Sequence, residues 1–143
     1  MKRALLCGSV ILLIDQLTKF IVRKTLPLYV SKPIIGDILR FTRVENRGMV
    51  FGIPIYNTAV FIIIMIIAIV GVVLLLLHER SIRSAIILGG AIGNLIDRVR
   101  FNSVTDFIDI GIKYWRYPTF NIADAAITIG IALIVIDWII SKK

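Results

Sequence analysis

Two short stretches near the end of this 143-residue chain carry aspartates within largely apolar sequence. Asn121 and Asp124 are three residues apart, so a helix would put both side chains on one face. The stretch 104–109 contains Asp106 and Asp109, and the connection after it can fold back to the same side. Two neighbouring carboxyls cannot easily both ionise, so they share a proton and supply one acid and one base. Hydrolysis of a peptide by activated water needs such a pair, although spacing alone does not choose between Asp106 and Asp109.

The same acids also fit structural roles. Asp124 can cap a helix or hold two helices together through hydrogen bonds. Asp106 and Asp109 can be solvated loop acids that cap the start of a helix. The residue types alone leave both interpretations open.

A second polar group follows the glycine-rich stretch 89–93. Asn94, Asp97 and Arg98 stand at positions i, i+3 and i+4, which lie on one face of a helix. The glycines before them allow another helix to approach closely. This group can hold a substrate backbone or brace a catalytic acid, or it can simply form a polar helix end.

The first apolar segment contains an aspartate and a lysine. Asp15 and Lys19 stand at positions i and i+4, where opposite charges meet on a helix surface. At 1.5 Å per residue Asp15 lies about 16 Å beyond Ala4, near the middle of a bilayer. We expect the two charges to neutralise each other, with Lys19 able to reach the interface.

Other catalytic chemistries lack their residues. The chain has one histidine, His78, and one cysteine, Cys7. These cannot supply the three or four ligands of a zinc site. His78 lies at the end of an apolar segment away from the polar groups, which argues against serine–histidine catalysis. The glycines at 89–93 precede no phosphate-binding lysine.

Composition indicates a membrane protein of one domain, 1–143. Hydrophobic residues make up 58% of the chain and the mean hydropathy is +0.92, whereas soluble domains are about 45–50% apolar. The net charge of +8 is spread between apolar segments without a compact basic run. That distribution argues against nucleic-acid binding and favours contact with anionic lipid headgroups.

The apolar segments predict four transmembrane helices, because a helix needs about 20 mainly apolar residues to cross a bilayer. The predicted spans are 4–22, 53–77, 84–99 and 120–140. Residues 23–52 contain several prolines and glycines and alternate with period two, which predicts a small extramembrane β-cradle. Residues 100–119 carry an apolar and aromatic pattern that suggests an interfacial amphipathic helix on the outer side.

The orientation of the spans does not follow from charge. Four spans put both termini and the loop at 78–83 on one side. The positive-inside rule would make that side cytoplasmic if it held the larger share of Lys and Arg. The opposite loops carry more of these residues, so the count opposes an arrangement with cytoplasmic termini.

Five stretches, in order along the chain, resemble the motifs of lipoprotein signal peptidases (signal peptidase II). They are Asp15-Gln16-Leu17-Thr18-Lys19, Asn46-Arg47-Gly48-Met49-Val50-Phe51, residues 89–98 ending in Asn94-Leu95-Ile96-Asp97-Arg98, Val104-Thr105-Asp106-Phe107 and Phe120-Asn121-Ile122-Ala123-Asp124. The match covers nearly the whole chain. In the second motif Val50 stands where the family usually has alanine.

The resemblance implies a role for each matching residue. The catalytic pair would be Asp106 and Asp124, which leaves Asp109 as a bystander. The supporting or substrate-binding positions would be Asn46, Gly48, Asn94, Asp97, Arg98 and Asn121. Asp15 and Lys19 would be structural.

The resemblance also implies the reaction. Members of the family are aspartic endopeptidases of the bacterial cytoplasmic membrane. They cut the signal peptide from diacylglyceryl-modified prolipoproteins just before the lipidated cysteine, without a metal or other cofactor. It further implies four spans, cytoplasmic termini and a site toward the outer face. We expect a monomer that contacts its substrate and membrane lipid.

Two other functions remain open from the residues alone. A small proton-coupled carrier would use intramembrane aspartates as a relay, with Asp137 continuing the route. A non-enzymatic assembly factor would use the same acids only to bind helices together.

Overall fold

The computed structural model describes residues 1–47, 49–50, 53–54 and 58–142, with side chains at 1–47 and 58–142. Within these residues the chain forms four helices and six strands. The helices are α1 (Lys2–Thr25), α2 (Thr58–Glu79), α3 (Ile82–Phe101) and α4 (Ile122–Ser141). The strands are β1 (Ser31–Ile35), β2 (Leu39–Asn46), β3 (Met49–Val50), β4 (Ile53–Pro54), β5 (Val104–Ile112) and β6 (Trp115–Arg116).

Three of the helices, α1, α2 and α4, are long and apolar enough to cross a membrane. Many of their large apolar side chains are exposed, because much of the surface of these helices faces away from the rest of the protein. The predicted second span, 53–77, begins too early, since Ile53–Pro54 pairs as β4 and the helix starts at Thr58. The predicted fourth span also begins early, because Asn121 caps the helix from outside its first turn.

Helix α3 is the central element of the bundle. It packs against α1, α2 and α4, and all its buried residues except Ile87 are polar or small. Gly90 shows why small residues are needed, since an added Cβ would lie 2.6 Å from the carbonyl oxygen of Ala123 in α4. Enclosure by three neighbours allows α3 to be less apolar than they are.

A four-stranded antiparallel sheet lies beyond the carboxyl ends of α1 and α3, in the order β1-β2-β5-β6. A separate two-stranded piece is formed by β3 and β4. The predicted cradle at 23–52 is therefore incomplete, because a central strand of the sheet, β5, comes from the second connection. Residues 23–25 also belong to α1 rather than to the sheet.

The interfacial helix predicted within 100–119 is wrong. Residues 102–121 contain no helix, and 104–112 form β5 instead. The apolar residues Ile108, Ile110 and Ile112 follow period two, as β-branched residues in strands do. The strand is held on one side by β2, which lies about 60 residues earlier in the sequence.

Candidate active site

The first turn of α4 holds Asp124 in a fixed position. Asn121 is the N-cap residue, and its side-chain oxygen accepts a hydrogen bond from the backbone N–H of Asp124 at 2.8 Å. In return the Asp124 carboxylate accepts from the backbone N–H of Asn121 at 3.3 Å. This reciprocal capping box satisfies two amides that a helix start leaves unpaired, so the helix itself fixes the Asp124 backbone.

Asp106 faces the same cap from β5. The Asn121 side-chain amide donates to Asp106 Oδ1 at 2.7 Å, and the Asn46 side-chain amide donates to Asp106 Oδ2 at 3.2 Å. Asp106 is only 3% exposed, whereas Asp124 is half-buried. Asn121 therefore connects the two carboxyls, and the pair is more accessible on the side of Asp124.

A buried chain of contacts continues from Asp124 into α3 and α1. The Asn94 amide donates to Asp124 Oδ1 at 2.8 Å, and Asn94 Oδ1 accepts from Lys19 Nζ at 2.8 Å. Lys19 forms an ion pair with Asp15 at 2.9 Å, and both side chains are fully buried. Asp15 in turn accepts from the backbone N–H of Ala123 at 2.9 Å. The predicted Asp15–Lys19 pair is thus present and also contacts the supporting residues.

Asp97 anchors the start of β5. Its Oδ2 accepts from the backbone N–H of Thr105 at 3.1 Å, which is the residue before Asp106. Arg23 forms an ion pair with Asp97 at 3.2 Å and also donates to the Thr105 hydroxyl at 3.0 Å. These contacts position the strand that carries Asp106.

Arg23 and Thr105 have polar roles that the sequence interpretation did not assign. The signal for Arg23 was available, because residues 15, 19 and 23 repeat every four positions and so lie on one helical face. Thr105 lies inside a quoted motif, but its contact with Asp97 depends on tertiary packing.

Arg98 approaches the site from the last turn of α3. It donates to the backbone oxygen of Asn46 at 2.9 Å, and its guanidinium lies 4.4 Å from the centre of the Phe61 ring. Arg98 thereby holds the end of β2, from which Asn46 reaches Asp106. Gly48, the other predicted position of that motif, lies outside the described residues.

Asp109 belongs to a different cluster. It accepts from Arg116 Nε at 2.6 Å and from the Thr42 hydroxyl at 2.9 Å. Residues three apart on a strand face opposite sides, so Asp109 points away from the side that Asp106 occupies. Asp137 is also separate, since it forms an ion pair with Arg83 at the other end of the bundle.

The environment of Asp106 favours its protonated form. Burial, and after it the negative charge of Asp124, raise the pKa of Asp106 to about 7. Hydrogen bonds from Asn46 and Asn121 and the charge of Lys19 act in the opposite direction. Near neutral pH this carboxyl is therefore suited to exchange a proton.

Comparison with known proteins identifies the family. The model of the family described as signal peptidase (SPase) II matches residues 8–140. This chain belongs to the signal peptidase II family. The resemblance found in the five motifs is thereby confirmed, and the chain is an enzyme, an aspartic endopeptidase of the signal peptidase II type.

Signal peptidase II relatives match almost the full length. The lipoprotein signal peptidase of Geobacter sulfurreducens is 38% identical over 150 residues, which cover 98% of this chain and 92% of the relative. That of Brevibacillus brevis is 35% identical over 144 residues, covering 96% of this chain and 95% of the relative.

Two solved structures are similar to this signal peptidase II fold. Each is described as a bacterial membrane enzyme determined by the in meso method. Their TM-scores are 0.91 and 0.87, with 32% and 33% sequence identity. The matches cover 100% and 96% of this chain, and 91% and 93% of those chains. The chain is thus a membrane protein, as its composition predicted.

Proposed function

We propose that this chain removes the signal peptide from diacylglyceryl-modified bacterial prolipoproteins, cutting before the lipidated cysteine with water activated by Asp106 and Asp124. The observation that carries the proposal is the shared contact through Asn121, which donates to Asp106 and forms the capping box with Asp124. Family membership and the name of the relatives, lipoprotein signal peptidase, support the substrate class.

The mechanism is direct hydrolysis by a carboxyl pair that shares one proton. The ionised member takes a proton from water, which attacks the scissile carbonyl. The protonated member donates its proton to the carbonyl oxygen. As the C–N bond breaks, the first carboxyl passes the proton it took from water to the departing amine, and the second recovers its proton from the tetrahedral intermediate. General acid–base assistance of this kind contributes roughly 10²–10⁴-fold to the rate. The proton belongs to the coupled pair rather than to one residue.

The other polar residues hold this pair. Asn94 and Asn46 donate to the carboxylates, and Asn121 does so from between them. Amide donors can stabilise an ionised carboxylate without adding a competing charge. Burial of Asp106 removes water that would otherwise weaken these contacts.

We further propose the arrangement in the membrane. Helix α3 would cross as a fourth span shielded by α1, α2 and α4, which its central packing supports. Both termini would be cytoplasmic, and the sheet with the adjacent carboxyl pair would lie at the outer face of the cytoplasmic membrane. We also propose that the chain acts as a monomer.

A cleavage assay tests the proposal. The full chain in detergent would be mixed with a diacylglyceryl-modified prolipoprotein, alongside Asp106→Asn, Asp124→Asn and the matched variant Asp109→Asn. We expect the first two to lose at least about a hundredfold in rate, since each removes one acid–base partner. Asp109→Asn should retain most activity because Asp109 lies in the Arg116 cluster.

Two results would contradict the proposal. Persistent cleavage in a folded Asp106 or Asp124 variant would remove that residue from the pair. Absence of cleavage by folded wild type, with the substrate cut by another signal peptidase II in parallel, would contradict the substrate assignment.

A further inference from the structure

A groove between the last turns of α1 and α3 lies beside the candidate site. Its volume is ≈ 460 Å³, and it is lined by Gln16, Phe20, Arg23, Lys24, Arg100 and Phe101. The proposed hydrolysis uses none of the side chains at its outer rim. The groove therefore calls for an explanation of its own.

The rim of the groove carries excess positive charge. Three of the lining residues are cations, and no described lining residue is acidic. The charge of Arg23 is offset by Asp97 at 3.2 Å. Lys24 and Arg100 are exposed, and neither forms an ion pair within the described part of the chain. Two positive charges are thus available for an anionic ligand.

Two exposed aromatic rings line the groove beside these cations, Phe20 one turn before Lys24 on α1 and Phe101 next to Arg100 on α3. Phe20 is 55% exposed and Phe101 is 44% exposed. Phe20 precedes Lys24 by one helical turn, so it lies about 6 Å further along the helix axis, toward the apolar part of α1. Lys24 Nζ lies 5.9 Å from the centre of the Phe20 ring, and the Arg100 guanidinium lies 5.5 Å from that of Phe101. Two cations beside exposed aromatic rings, with Phe20 toward the apolar part of α1, match a phosphate followed by an acyl chain.

We infer that this groove binds one anionic phospholipid, with its phosphate between Lys24 and Arg100 and an acyl chain against Phe20 and Phe101. A soluble anion would use only the two cations and gain nothing from the rings. Neighbouring α1 residues Leu17 and Ile21 are 54% and 48% exposed, so the groove opens onto an apolar helix surface. This inference does not rest on the proposed hydrolysis.

Native mass spectrometry of the full chain tests the inference. The protein would be released from detergent with equal amounts of phosphatidylglycerol and phosphatidylcholine of the same acyl chains. Wild type should retain one phosphatidylglycerol in preference. Neutralising each cation should lower that preference about fivefold, a typical contribution of one basic residue near an anionic lipid surface. The variants are Lys24→Gln, Arg100→Gln and the double variant.

The matched control is Lys32→Gln with Lys113→Gln, which removes the same charge from exposed positions in β1 and in the turn between β5 and β6. The control should keep the wild-type preference. Equal losses in the control and the groove variant would mean general charge attraction and would overturn the site. Unchanged preference in the double groove variant would overturn it as well.

Glycerol phosphate, added without acyl chains, should not displace the bound lipid, and displacement would show a simple phosphate site. Binding is measured directly, so either result is distinct from a failure of the proposed hydrolysis.

Discussion

At the scale of single residues, the Asn121 side chain contacts both carboxyl-bearing residues and Asn94 at once. Its side-chain amide donates to Asp106 and to Asn94 Oδ1, at 2.7 and 3.2 Å, while its oxygen accepts from the Asp124 backbone. These partners fix which way the amide faces, because a reversed amide would direct its oxygen at an acceptor. The side chain is fully buried, so water cannot replace these bonds.

Changing Asn46 should alter the pH dependence of cleavage. The pKa of Asp106 is raised to about 7, mainly by burial. The proposed mechanism needs one protonated carboxyl, so the wild-type rate should fall as pH rises above about 7. Asn46 donates to Asp106 and favours its ionised form. Asn46→Ala should therefore raise the pKa of Asp106 and move this alkaline limb upward by about one pH unit.

The measurement is kcat/KM against pH for wild type and variant. Thr42→Val is the control, because Thr42 lies on the same strand but donates to Asp109. Its alkaline limb should stay where the wild-type limb is. A limb that moves to lower pH in Asn46→Ala would contradict the assigned direction.

The distinction between Asp106 and Asp109 shows what the sequence could and could not provide. Spacing left the two acids equivalent, and the family resemblance chose Asp106. Strand periodicity would have separated them, because residues three apart face opposite sides of a strand. The prediction of an interfacial helix over 100–119 does not contain this alternation, because a helix puts residues three apart on the same face.

Among the elements, α3 sets the distances within the bundle through its glycines. A Cβ at position 90 would meet the carbonyl oxygen of Ala123 at 2.6 Å and the Ile127 side chain at 3.1 Å. Ala123 directly precedes Asp124, so a shift there would move the carboxyl that Asn94 contacts. Close packing thus determines the site geometry as well as the stability.

Gly90→Ala should therefore lower both the thermal unfolding midpoint and the cleavage rate, since overpacking typically costs about 1–3 kcal/mol. Gly71→Ala is the matched control, because a Cβ there meets no atom within 4 Å. That change should leave cleavage unchanged and the midpoint equal or slightly higher, as alanine favours a helix over glycine. Equal effects of the two substitutions would argue against the α3–α4 contact as the cause.

The helices were easier to predict than the sheet for a physical reason. A membrane helix satisfies its own backbone, so a long apolar run is a local signal. Strand β5 depends on β2, and their pairing joins Asn46 to Val104 across 58 positions. No local sequence pattern indicates which distant strand β5 pairs with. The predicted starts of the second and fourth spans were too early, because residues 53–54 pair as β4 and Asn121 caps α4.

In the whole molecule, the usual distribution of polar residues is reversed. Among the side chains that the structure describes, at 1–47 and 58–142, the largest that are less than 2% exposed are all polar: Lys19, Asn121, Thr105, Asp15, Asp97 and Ser84. Large apolar side chains cover the outside of α1, α2 and α4. An apolar outer surface suits contact with lipid, and buried polar side chains suit a hydrogen-bonded site. Composition alone predicted the apolar outer surface but not the buried polar side chains.

The proposed four-span arrangement can be tested by labelling single cysteines in cells after Cys7→Ser. Tyr114 is 98% exposed in the turn between β5 and β6, and Glu79 is exposed at the end of α2. A membrane-impermeant maleimide added outside should label Tyr114→Cys directly. It should label Glu79→Cys only after the membrane is opened, because α3 would separate the two positions. Labelling of both from outside would remove α3 as a span.

The pairing of β2 with β5 also has a consequence for synthesis. A chain made from its amino terminus has completed α1, β2 and α2 long before Asp106 emerges. Asp124 and its cap Asn121 follow only with the start of α4. The nascent protein therefore cannot assemble its carboxyl pair until α4 enters the membrane. Unfinished or truncated chains that lack α4 should be unable to cleave neighbouring proteins.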